Sequence, residues 1–507
     1  MTEAPASITR RRAADTAFTA VGGVAVLFGA ALMGILIARR FGATASTDGF
    51  FVANALYGVF IILGQSLRMT IVPRLVDGDT EVRFRTELRG LALVFAGSGA
   101  LFVAAGAGLA PLVASGDALR AFQVSLLVLW PAVGFHLFAG LGAAVLATWN
   151  SYRFAALAFV GGAVASVAGF LALTPALGVY GIPAGLSVGA AVSAGLIALA
   201  LRRRWRRTSD ESRSAPAKLG EVRLSAARIL LGGVPFVATQ IAPLISVAFA
   251  GIDGPGRASL YWYAVMLLVL LNAALAAPIS VVYAPVVARD FSDDRAAAAG
   301  LTLRAFRAVS ALAVPAVAAL CLLGPQPAEW LLTKLSGSEI DDIFTLLLVL
   351  SPALLASQLM AIPLLVVLAE GRLARLAKWS LLVLAVHAVL TAAVAVAQLG
   401  GLFGIGAVAT LSAFGLSGTV VVLGMRVHSF RVVRGAASAV GAVVLPAVAA
   451  FLLPAVLLGG GEKLVKGAVA WLLGMLLFVA WLWFVRREEL DELLAVTRRP
   501  RPEAMVR

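Results

Sequence analysis

The chain of 507 residues has little of what soluble enzymes work with. It holds one cysteine, three histidines, five lysines and 26 acidic residues, and 13% of it is charged, where soluble domains carry about 25%. The lone Cys321 sits in an apolar run, which excludes an intramolecular disulfide framework and any cysteine-rich metal site. There is no GxxxxGK[ST] phosphate loop and no HExxH pattern, so neither ATP hydrolysis nor zinc-hydrolase chemistry is expected. The short alternating segments of a membrane β-barrel are missing too.

Apolar residues make up 61% of the chain and mean hydropathy is +0.97. A soluble fold cannot bury that much apolar surface, because more than half of any folded surface stays exposed. A helix crossing the bilayer needs about 20 apolar residues, and long unalternating runs such as Met266–Val282 and Val440–Leu458 meet that need. Runs between charged breaks give fourteen spans: 16–38, 49–71, 91–113, 121–148, 154–173, 179–201, 226–250, 259–285, 301–324, 343–369, 377–399, 402–424, 435–459 and 464–485. The fold class is therefore an all-α polytopic membrane protein. The first run follows Arg10-Arg11-Arg12 and precedes Ala43-Thr44-Ala45, which mimics a signal-peptide cleavage site. Its apolar core is longer than a signal h-region, so it reads as a retained helix.

The net charge of +15 does not point to nucleic acid. With alternate loops assigned to opposite sides, one side collects 33 Lys/Arg and the other seven, with Arg68 inside a helix. Basic residues gather in cytoplasmic loops, so both termini are expected in the cytoplasm of a bacterial plasma-membrane protein. The longest loop is a basic linker, 202–225, which separates a six-helix bundle at 1–201 from a second at 226–424. Two extra helices follow at 435–485, then a cytoplasmic tail at 486–507.

The two bundles resemble each other. Asp48-Gly49-Phe50-Phe51-Val52-Ala53, closed by Val72-Pro73-Arg74, is answered by Leu260-Tyr261-Trp262-Tyr263-Ala264, closed by Ala284-Pro285. The offset is 211 at Ala53/Ala264 and 212 at Pro73/Pro285. Six helices per repeat is an even number, so both repeats enter the membrane the same way, as in secondary transporters with parallel repeats.

Ile37-Ala38-Arg39-Arg40-Phe41-Gly42-Ala43, Thr47 through Ala53, Val72-Pro73, and Ala147-Thr148-Trp149-Asn150 with Arg153 and Phe154 resemble the signature of MviN/MurJ-type lipid II flippases. That family lies in the multidrug/oligosaccharidyl-lipid/polysaccharide exporter superfamily. The resemblance implies a pair of six-helix bundles, two extra helices forming a groove for a lipid tail, and a polyprenyl-pyrophosphate-linked saccharide as cargo. Family members that carry lipid II have arginines along helix one, as a pair on helix two, and after the Tyr-Ala of helix eight. Here helix one reads Phe28-Gly29-Ala30-Ala31-Leu32-Met33-Gly34, helix two offers Arg68 alone, and helix eight reads Tyr263-Ala264-Val265-Met266-Leu267. These departures point to a divergent paralogue with another lipid-linked cargo, or to a member that does not transport.

An ionisable group deep in the bilayer is costly and tends to face a cavity. Arg68 is the one helix-embedded cation, with snorkelling to the interface as its alternative. Asp48 matches a family position and is expected to gate, or to pair with Arg39 or Arg40. His136 and His387 lie mid-helix, either as structural histidines or in contact with a proton or cargo. Asn54, Gln65, Gln240, Asn272 and Gln358 are candidates for hydrogen bonding to sugar hydroxyls, or for joining helices. Glu339, Asp341 and Asp342 are the acids available to an outer-loop glycosyltransferase, and they are too few for one. No enzyme activity, metal or cofactor is expected; the coupling ion is left open. Expected partners are the lipid-linked saccharide, membrane lipids and envelope-synthesis enzymes. A drug/cation antiporter of the same superfamily and a non-transporting scaffold for envelope synthesis are the alternatives.

Overall fold

The computed structural model describes residues 25–26, 28–76, 97–113, 116–148, 151–211, 226–275, 294–370, 372–457 and 463–485. The Arg10-Arg11-Arg12 triplet, most of the 202–225 linker and the 486–507 tail lie outside the described residues.

The described residues form helices and no strands. Water-free hydrocarbon leaves backbone N–H and C=O groups no partners but each other, so spanning segments are helical. In chain order the long helices are α1 (28–41), α2 (Ala45–Val76), α3 (97–109), α4 (Asp117–Thr148), α5 (Tyr152–Leu177), α6 (Gly181–Glu211), α7 (Ala226–Ala250), α8 (Arg257–Leu275) and α9 (Arg295–Leu323). The short α10 (Pro325–Leu331) leads into α11 (Gly337–Ala369), α12 (Leu373–Val396), α13 (Gly401–Met425), α14 (Ser429–Leu457) and α15 (Lys463–Val485). Setting α10 aside, each of the fourteen sequence-predicted spans overlaps one helix. Among the described residues, seven stretches are long and apolar enough to cross a membrane, and two of these, Arg153–Arg203 and Gly401–Leu457, each contain two helices. Shorter apolar helices add 97–112, Val237–Asp253, Arg257–Asn272 and Val469–Val485.

Helix ends follow the local chemistry. Thr44 and Thr47 bond reciprocally, each accepting the other's backbone N–H (3.3 and 2.8 Å), so Ala43-Thr44-Ala45 forms the capped start of α2. Ser336 and Glu339 do the same for α11, Ser336 N–H donating to Glu339 Oε2 at 2.7 Å. Glu339, a candidate acid by sequence, is therefore a helix cap. The narrow gap between α12 and α13 turns through Gln398, Gly400 and Gly401, at φ +51°, +71° and +51°.

The helices cluster into two compact units. The first comprises Met1–Trp262 and Thr391–Gln398, the second Tyr263–Leu390 and Leu399–Arg507. In the first, α2 packs on α4 and α7, and α4 on α6. Here α5 and α6 lie backbone to backbone. Gly181, Gly185 and Gly189 recur every four residues along α6 against Thr174, Phe170, Ser166 and Gly162 of α5, the small-residue contact by which helices approach closely in lipid. In the second unit α9 packs on α11 and α14, α11 on α13, and α14 on α15. Its core runs from Ala298 through Val309 and Val317 to Leu354, Val366 and Val421.

Candidate functional site

Asp48 lies in the first turn of α2, a site that favours an acid through the helix dipole. Its carboxylate is 5% exposed and reaches the start of α8. Oδ2 accepts from Gly256 N–H (2.6 Å), and Oδ1 accepts from Ser259 N–H (2.7 Å) and Ser259 Oγ–H (2.6 Å). Ser259 Oγ also sits 2.8 Å from Thr47 Oγ1. The first N–H groups of any helix lack intrahelical acceptors, and here one carboxylate supplies acceptors to α8 while opening α2. Two glycines make room. Gly256 has φ +87°, and a Cβ there would meet Ala43 O at 2.7 Å; a Cβ on Gly49 would collide with Ala118 O and stand 2.8 Å from Phe122 N. Three residues on, Phe51 stacks on Trp262 with ring centroids 6.1 Å apart. The expected pairing of Asp48 with Arg39 or Arg40 gives way to these bonds: both arginines are exposed, while the buried carboxylate is already filled.

Deeper in the same unit, Tyr57 of α2 bonds His136 of α4, with Oη and Nδ1 2.6 Å apart and the rings edge to face. Tyr57 is fully buried and His136 half-buried. Gln240 of α7 stands against Gly58, whose added Cβ would lie 3.6 Å from Gln240 Oε1. Positions 54, 58, 61, 65 and 68 fall on one stripe of α2 at its 3.6-residue period. Asn54, half-buried, thus shares a stripe with Gly58. The side chains of Gln65 and Arg68 lie outside the described residues.

The second unit has a matching polar link. Asn272 of α8 accepts a hydrogen bond from the Gln358 amide of α11, and Ser357 Oγ lies 3.3 Å from that amide. By the sequence repeat, α8 answers α2 and α11 answers α4. Gln358 follows Pro352 by six residues, as His136 follows Pro131 by five. Each repeat therefore ties its second helix to its fourth through a polar pair inside the span. His387, fully enclosed, joins α12 to α13 through Ser412 Oγ at 2.9 Å.

At one end of this unit Glu370 gathers arginines from three other places. It pairs with Arg295 at the start of α9, with Arg372 Nε (3.0 Å) and with Arg426 Nη2 (3.8 Å), while Arg295 also donates to Gly424 O. Arg426 closes α13 at φ +51°, a conformation usually left to glycine. Elsewhere, on the first unit, an apolar groove of about 320 Å³ runs between Phe154 and Leu157 of α5 and Leu196 and Leu199 of α6, with Arg203 at its edge.

Sequence reasoning named Asp48, His136, Asn272, Gln358 and His387 but missed their partners Tyr57, Ser259 and Ser412. For Ser259 the signal was present, since it stands 211 residues after Asp48, the repeat's own offset. No His/Cys/Asp/Glu group suited to a metal occurs among the described residues.

A family model described as lipid II flippase MurJ matches residues 37–480. No curated protein matches the chain. Among solved structures, the chain is similar to a lipid II flippase MurJ in an inward closed conformation. The TM-score is 0.70 at 14% identity, over 94% of this chain and 98% of that one. It is also similar to a MOP-superfamily transporter from Pyrococcus furiosus (TM-score 0.56, 15% identity, 83% of this chain and 96% of that one). A MATE protein in complex with MaL6 gives 0.53 at 16% identity, over 83% and 96%. At such identities the likeness is one of fold.

Proposed function

The chain belongs to the MurJ lipid II flippase family, and on that footing we propose that it moves a polyprenyl-(pyro)phosphate-linked saccharide, a cell-envelope precursor, from the cytoplasmic to the outer leaflet by alternating access. It is a transporter and not an enzyme. The observation that carries this reading is the family match, which runs from the first described helix into α15. The working halves are the two sequence repeats, 1–201 and 226–424, joined by the 202–225 linker, with 435–485 as the added pair and 486–507 as the tail. Membrane lipids surround the chain, and the linker and tail are the surfaces offered to envelope-synthesis enzymes.

The cargo brings phosphate, sugar and tail. Burying a phosphate without a cation costs several kcal/mol, and Arg68, eight residues before the end of α2, is a helix-embedded cation available to it. Asn54, Gln65, Gln240, Asn272 and Gln358 suit sugar hydroxyls, His136 suits contact with a proton or the cargo, and Asp48 suits a gate at the starts of α2 and α8. His387 joins two helices. Without the arginines of the lipid II carriers on helices one and eight, a different lipid-linked saccharide fits best. Expression in a strain depleted of its own lipid II flippase tests this: no rescue is expected, and robust rescue at normal expression makes lipid II the cargo.

The 33-to-7 distribution of basic residues supports cytoplasmic termini in the bacterial inner membrane. A reporter fused after residue 215 should read cytoplasmic and one within 325–342 external; either result reversed breaks this orientation. The MATE likeness keeps a drug/cation antiporter as the second reading, and drug resistance conferred by overexpression would favour it.

A further inference from the structure

We propose that His136, bonded to Tyr57, is a proton-binding site in the first unit whose occupancy sets the rate of transport; this rests on the transporter reading above. His136 lies about 28 Å along α4 from Asp117 and about 18 Å from Thr148, at 1.5 Å per residue, so it sits well inside the span. Histidine is the side chain whose charge changes near neutral pH, and few others are present at this depth.

The surroundings isolate it. The ionisable residues of α4 itself, Asp117 and Arg120, are at its start. From α2 comes Tyr57, with Asp48 nine residues earlier and Arg68 eleven later. From α5 come Tyr152 and Arg153 at its start, from the following turn Tyr180, and from α6 Arg202, Arg203, Arg204, Arg206, Arg207, Asp210 and Glu211, all within its last ten residues. Helix α3, which meets α4 at Trp130 and Leu126, has none over 97–109.

The partner makes protonation consequential. In the neutral ring with Nδ1 bare, Tyr57 Oη–H donates to Nδ1. A proton taken up from water places N–H on both ring nitrogens, and the bond must reverse: Nδ1–H donates and Tyr57 Oη accepts. The hydroxyl proton of Tyr57 then needs a new acceptor at a residue 2% exposed. The ring's other recourse is the Ala132 carbonyl one turn back on α4. Either response strains the α2–α4 contact, and α2 carries Asp48 about 14 Å further along its axis. Loss of the proton restores the starting bond.

The second repeat supplies the contrast. Its corresponding link is Asn272 with Gln358, two amides that take no proton near neutral pH. The same architectural position is titratable in one repeat and fixed in the other, so pH acts through one half.

The test has two arms. In the first, nanodisc-embedded protein labelled with 15N-histidine, carrying His387→Gln and His428→Gln, is titrated by NMR between about pH 4 and pH 9. The His136 ring should titrate, and Tyr57→Phe should move its midpoint. A ring that holds one protonation state throughout overturns the proposal. In the second, proteoliposomes are assayed with a fluorescent polyprenyl diphosphate N-acetylhexosamine. Wild-type flux should change at least about twofold between about pH 4 and pH 8, and His136→Gln should flatten that profile whatever its level, while His428→Gln keeps it. A His136→Gln profile that follows wild type also overturns the proposal. If even wild type moves no probe while His136 titrates, the cargo reading has failed and the proton site stands.

Discussion

Asp48 and Ser259 hold the same position in the two sequence repeats, 211 residues apart, and they are bonded to each other at 2.6 and 2.7 Å. Phe51 and Trp262, at the same offset, stack three residues further on. Equivalent turns of α2 and α8 thus begin at one place, and a single carboxylate serves both helix starts. An acid conserves its value here by accepting three hydrogen bonds rather than by pairing with a neighbouring arginine.

Asp48→Ala should destabilise the protein more than Ser259→Ala. The first strands the buried N–H groups of Gly256 and Ser259, at about 1–3 kcal/mol for each group left unpaired, while the second removes one hydroxyl bond, about 0.5–1.5 kcal/mol. Thermal unfolding of the purified protein in detergent measures both. Equal midpoints would show that the carboxylate is not capping α8.

Gly185 has Phe170 N at 2.6 Å and Ser166 O at 2.8 Å from where a Cβ would stand, and both are backbone. Gly185→Val should therefore force α5 and α6 apart and cut the yield of monodisperse protein several-fold on size-exclusion chromatography. Gly195→Ala, with nothing within 4 Å of its Cβ, is the control and should behave as wild type. A monodisperse Gly185→Val would mean that the two helices do not touch along this ladder.

Arg68→Ala should abolish flipping of a lipid-linked diphosphate saccharide while insertion stays normal. Arg68→Lys should keep part of the rate, because a point charge survives while the two-pronged guanidinium contact is lost. Wild-type flux in Arg68→Ala would make the residue a snorkelling anchor.

Glu370→Gln should lower stability by about 1–3 kcal/mol, since three guanidiniums lose their shared anion. The arginines then repel one another, so the loss should be larger at low salt and partly recovered at high salt. Thermal midpoints across a salt series decide it; a salt-independent difference would assign the loss to packing.

Class and helix count were legible because the bilayer imposes a simple rule: about 20 apolar residues per crossing, basic residues to one side. The rule needs no knowledge of partners. Site chemistry does. Asp48 read as an acid beside Arg39 and Arg40 because neighbours in sequence are visible, whereas Gly256 is 208 residues away. Tyr57 passed as an apolar-run aromatic, since nothing local reveals that His136 lies across from it. Glu339 carried its own explanation in Ser336 three residues earlier, yet acids in a loop suggest chemistry before they suggest capping. The four-residue spacing of Gly181, Gly185 and Gly189 was in view throughout; it was their facing partners on α5 that gave it meaning.

Because Asp48 accepts the amide protons of Gly256 and Ser259, those two protons are sealed from solvent for as long as the start of α8 stays on α2. Every separation lets water take the carboxylate's place and deuterium take the protons'. Exchange at two amides would thus time the gate proposed for this contact, counting separations of the two helix starts in a protein with no cargo, no label and no ion gradient.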